Sequence, residues 1–113
     1  MIESNNRRAH RRYPILLQLQ YKLMAPTGVQ HVGVGQTINV SSHGVLCDVN
    51  KELPKNSRIE LSIQWPYLLH GTCPLNLVVQ GRIVRTGSHS VAVQAEAIEF
   101  RTAGRVPVGR RAV

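Results

Sequence analysis

Four arginines and a histidine take five of the six positions of RRAHRR, Arg7 to Arg12, just ahead of the apolar segment ILLQLQY. Each guanidinium carries a permanent charge and a planar fork of donors suited to gripping a phosphate. Charges packed this closely repel one another, so the cluster is a cost to the chain unless something anionic meets it. A second polar stretch, Asn39-Val40-Ser41-Ser42-His43-Gly44, joins two apolar segments downstream. Taken alone it reads as an ordinary turn, in which Asn39 and Ser41 bond to nearby backbone and Gly44 takes a positive φ angle. RRAHRR taken alone reads as a solvated basic arm.

The net charge of +8 at pH 7 is concentrated at the two ends. Residues 1–12 set Arg7, Arg8, Arg11 and Arg12 against Glu3, and residues 101–113 hold Arg101, Arg105, Arg110 and Arg111 with no acid. The span between them, six basic residues against five acidic, is nearly neutral. Basic ends attract a polyanion or a phosphorylated ligand, and they also keep a protein soluble. The length of 113 residues gives room for one domain with a single core. No apolar run approaches the roughly 18–20 residues of a membrane span. MIESNN lacks the basic-then-apolar pattern of a secretory leader, so a cytoplasmic location is expected. There, Cys47 and Cys73 are expected to be free thiols rather than a bridge.

Strands must position these residues. From Tyr13 to Leu23, Ile15, Leu17, Leu19, Tyr21 and Leu23 fall on alternate positions, with Gln18, Gln20 and Lys22 on the other face. APTG at 25–28 is a turn signal. Further strands are expected over 34–40, 45–49, 58–64, 76–85 and 90–100, with a polar connection over 50–57. About six strands with frequent turns and no helical periodicity imply an all-β barrel or sandwich. Residues 65–74 read as a loop, with Trp65 and Tyr67 expected to pack over a barrel end. The division expected is a flexible basic arm over 1–12, a barrel over 13–100 and a mobile basic tail over 101–113.

Nothing here supports catalysis. His10, His31, His43, His70 and His89 are scattered singly, none at a zinc-site spacing, so no metal is expected. There is no G-x-S-x-G elbow and no phosphate loop ending in Lys-Ser or Lys-Thr. Simple alternation sets Glu96 and Glu99 on opposite strand faces, which does not suit an acid/base pair.

Order and spacing join the two opening motifs. Arg8-x-x-x-Arg12 stands just before the first strand, with Arg7 as an extra arginine. Asn39-x-Ser41-x-x-Gly44 stands between the second and third. Arg7 and Arg11 offer a second register; Arg8 and Arg12 are preferred because Arg12 lies closer to the strand. This arrangement resembles the PilZ domain family, as do GRIVR at 81–85 and VAVQAEAIEF at 91–100, over roughly residues 5–100. Asn39 stands where the family often has Asp.

The resemblance implies a six-stranded antiparallel β-barrel that binds cyclic di-GMP, a bacterial second messenger, with no further cofactor. The ligand-binding residues carried over are Arg7, Arg8, Arg12, Asn39, Ser41 and Gly44. Their chemistry suits that ligand. Arginine can pair with guanine O6 and N7, clamp a phosphate or stack on a base. Asn39 offers both a donor and an acceptor. The arm is then expected to be disordered when free and to order over the nucleotide, passing the signal to an effector protein. The alternative is a PilZ-like scaffold that contacts proteins without nucleotide. Sparse aromatic residues and the near-neutral middle argue against a general nucleic-acid binder. A stand-alone, monomeric receptor is expected, since no helical extension is present to drive assembly.

Overall fold

Alternating apolar residues demand strands with one buried face, and a closed sheet buries that face without leaving long edges. The computed structural model describes residues 13–102. It contains β1 (Tyr13–Pro14), β2 (Gln18–Ala25), β3 (Gly28–Val40), β4 (Gly44–Asp48), β5 (Arg58–Gln64), β6 (Leu75–Thr86) and β7 (Ser90–Thr102), with no helix among the described residues. The strands pair antiparallel in the order β1-β3-β2-β5-β6-β7-β4, and β3 also pairs with β4. That last ladder closes a six-stranded antiparallel barrel, with β1 as a short addition on β3.

The inward faces are the ones the alternation marks. Leu19, Tyr21 and Leu23 from β2 and Ile59, Leu61 and Ile63 from β5 are buried. Cys47, Val79, Ile83, Val91 and Val93 complete the wall. Burying one such aliphatic side chain stabilises the fold by about 1.5–3 kcal/mol relative to leaving it exposed. Gln18, Gln20 and Lys22 face out, as expected. The loop after β5 divides its two aromatics. Trp65 packs against the core and meets Phe100 edge-on at 5.3 Å, whereas Tyr67 stays exposed.

Three departures from the sequence pattern matter. The first strand is broken at residues 15–17. There the buried Thr37 replaces the ladder: its Oγ1 accepts from Leu17 N at 2.8 Å and donates to Ile15 O at 2.5 Å. Its own amide donates to Leu17 O at 2.8 Å. β3 begins at Gly28 rather than 34, because 28–36 pairs with β2 across a tight hairpin. The third departure is a β-bulge in β7 opposite Gln80 and Gly81, which shifts the alternation at Glu96. Glu96 and Glu99 therefore share the outer face rather than taking opposite faces. Each is engaged by arginine: Glu96 by Arg58 at 3.0 Å, Glu99 by Arg101.

Candidate ligand-binding site

The turn between β3 and β4 is held by Ser41. Its Oγ accepts from His43 N and Gly44 N, both at 3.2 Å, and lies 3.3 Å from Gly44 O. Its amide donates to Gly44 O at 2.9 Å. The hydroxyl thus shapes the loop before any ligand arrives. His43 O accepts from Ala95 N at 2.8 Å, which ties the loop to β7. Gly44 is not among the residues with positive φ, contrary to the turn reading. It is required instead by close approach: a Cβ there would stand 2.5 Å from Val93 O.

Asn39 owes its direction to a bulge. Thr37 faces in, and strict alternation would turn Asn39 in as well. The register shifts between Thr37 and Asn39, so Ile38 is the extra residue. Val40 then takes the inward place, and Asn39 turns out, half-buried. Its side-chain amide has no hydrogen-bond partner among the described residues.

A second bulge does the same for Arg85. Ile83 is fully buried, and alternation would bury Arg85 two residues on. The register shifts between Ile83 and Arg85, Val84 is the extra residue, and Arg85 faces solvent. In register, Asn39 lies opposite Leu46, Leu46 opposite Ala92, and Ala92 opposite Arg85. Three strand spacings separate the ends of this row, about 14 Å along the sheet.

The row runs through a cleft of about 270 Å³ lined by Asn39, Ser41, His43, Gly44, Arg85 and Gln94, among others, with no acid lining it among the described residues. Of the four arginines in the described residues, Arg58 and Arg82 share Glu96, and Arg101 meets Glu60 and Glu99. Arg85 alone has no acidic partner there. Among the described residues, a cation with no acidic partner and an unpartnered amide thus stand at opposite ends of a cleft without acids, which suits an anionic ligand with polar edges.

β1 sets the first of the described residues beside the same cleft. Tyr13 pairs with Val40 and Pro14 with Asn39. Arg7, Arg8 and Arg12 lie outside the described residues, as do the expected disorder of the arm and mobility of the tail. Asn39, Ser41 and Gly44 line one cleft. Arg85 was not singled out by sequence reasoning, although a charged residue in phase with Ile83 signals the bulge.

The PilZ domain family matches residues 5–106. The chain belongs to the PilZ domain family. A comparison with curated proteins finds no match. PilZ domains form a receptor family for cyclic di-GMP, and this PilZ domain places the family's Asn-x-Ser-x-x-Gly motif on the cleft. Among the described residues no group of three or more His, Cys, Asp or Glu side chains is placed to hold a metal, and no helix is long and apolar enough to cross a membrane.

Proposed function

We propose that this PilZ domain is a cytoplasmic cyclic di-GMP receptor, in which the arginines of residues 7–12 close over a nucleotide lying on the row from Asn39 to Arg85. The observation that supports this reading is the pairing of Pro14 with Asn39, two residues after Arg12 in the sequence, at the rim of the cleft. Arg8 and Arg12, assisted by Arg7, supply the forks for phosphate and guanine edges. Asn39 offers an amide that nothing else in the described residues occupies, able to read a guanine edge. Ser41 and Gly44 hold the loop in shape, and Arg85 balances ligand charge from the far side. The nearly uncompensated arm charge gives binding its ordering force. Ordering alters the surface beside the cleft, and that change is what an effector protein reads.

Calorimetric titration of cyclic di-GMP into wild type and Arg8→Ala, with GMP as the control, tests this. One lost charge-assisted contact weakens binding about 10- to 150-fold. Nucleotide should also raise amide protection in residues 5–14. Folded wild type that fails to bind overturns the receptor reading and leaves a protein-binding scaffold. An arm equally protected without nucleotide overturns the ordering step.

A further inference from the structure

Among the described residues, one stretch of β7 has no partner strand on one side. The β4 ladder ends at Gly44 opposite Gln94, and Ala95 N bonds the loop carbonyl of His43. From residue 96 to 102 β7 pairs only with β6, among the described residues. A free edge presents a row of backbone donors and acceptors to any strand that can align with it. This edge is also apolar on one face. Ile98 and Phe100 stand opposite Val79 and Leu77, on the inward side of the sheet. The opposite wall does not reach them, and they are 40% and 53% exposed. Trp65 extends the patch through its edge-on contact with Phe100.

We propose that this edge pairs with the same edge of a second copy, forming a two-fold dimer with a sheet continuous across both barrels. The charge pattern selects the partner and the register. Around a two-fold axis, antiparallel strands pair symmetrically about one residue. With the axis at Phe100, Glu99 of each copy faces Arg101 of the other, twice, on the outer face. Ile98 faces Thr102, and the two Phe100 rings meet on the inner face beside both Trp65 rings. Moving the axis to Glu99 sets two carboxylates directly opposite, which is destabilising. The edge is therefore self-complementary in one register, in both charge and apolar surface. Stacked aromatic pairs at the centre supply large contact area. The inference is independent of nucleotide binding and departs from the monomer that the lack of a helical extension suggested.

Sedimentation across a concentration series, with Trp65 emission recorded in parallel, tests it on the full chain. Wild type should sediment as a dimer at high concentration, with the emission of its single tryptophan shifting as the dimer forms. Glu99→Arg alone and Arg101→Glu alone should each shift the midpoint at least tenfold toward monomer. The double exchange should recover most of the loss, because opposite charges again face one another. Both side chains are about half exposed, so the variants should fold, and far-ultraviolet dichroism checks this. Wild type that remains monomeric at millimolar concentration overturns the proposal. So does a dimer indifferent to all three variants, or a monomer whose Ile98, Phe100 and Thr102 amides are strongly protected, which would give the edge to the chain's own termini.

Discussion

Asn39 and Arg85 end one row of the barrel's outer face, joined through Leu46 and Ala92, and each is turned outward by its own β-bulge. Two residues 46 positions apart in the chain thus bracket a single cleft. Neither spends its polar group on another described residue, so both are available to a ligand.

Arg85→Ala should therefore weaken cyclic di-GMP binding about 10- to 150-fold while changing stability by less than about 0.5 kcal/mol. Arg82→Ala is the matched control. It removes an equal charge two strand positions away, already committed to Glu96, and should leave affinity within about threefold. Calorimetry on the two variants separates a positioned contact from general electrostatic attraction.

Thr37→Val keeps the shape of the side chain but leaves Leu17 N without its acceptor. Loss of the two hydroxyl bonds should cost about 1–3 kcal/mol in urea denaturation. The same change frees the start of the chain from β3. Amide exchange at Leu17 should accelerate beyond what the global loss explains, and nucleotide affinity should fall with it.

Gly44→Ala places a methyl group 2.5 Å from Val93 O, in a ladder with no room to give. Overpacking of this kind costs about 1–3 kcal/mol. Exchange at Ala95 N, which bonds His43 O, should report the opening first. Placing a β-branched residue at 44 should be worse still, which thermal melts would rank.

Cys47 is fully buried, and burial, with Asp48 adding to it, pushes its thiol up to about 12 from an ordinary value of 9.0. The folded state thus holds this proton where the unfolded chain releases it. Its contribution is fully present below the ordinary thiol value and is lost as pH rises from there through about 12. Stability should decline over that alkaline window, less steeply in Cys47→Ala, with burial of the Tyr21 hydroxyl adding to the decline in both. In native protein at neutral pH, iodoacetamide should modify Cys73 and spare Cys47.

Much of the architecture was legible because alternation and burial coincide. β5 carries Ile59, Leu61 and Ile63 inward, and its limits match the pattern residue for residue. β3 concealed itself by inverting that pattern. Its inward positions in the hairpin are Gly33 and Gly35, and its valines 32 and 34 point to solvent. Tyr21 occupies the space over Gly33, where a Cβ would stand 2.5 Å from its hydroxyl. Counting apolar residues cannot find a strand whose core side chain is donated by its neighbour. The Asn-x-Ser-x-x-Gly motif was legible as spacing, and its loop formed as spacing implies. The roles were legible only in part. Ser41 bonds the backbone of its own turn, as read, whereas Gly44 serves packing rather than a positive φ. Arg85 was passed over although a charge in phase with the buried Ile83 marks the bulge.

The bulges at Ile38 and Val84 have a consequence best put as a matter of reading frame. A strand has only two phases, inside and outside, and the barrel is written in one of them. Asn39 and Arg85 are written in the other, and each is reached through one inserted residue. Straightening either bulge with its extra residue kept would leave every residue type unchanged. It would nevertheless turn Asn39 or Arg85 toward the core and the residue after it outward. The binding face is thus specified by two single-residue bulges, and strict alternation through either would keep the letters of the motif without its meaning.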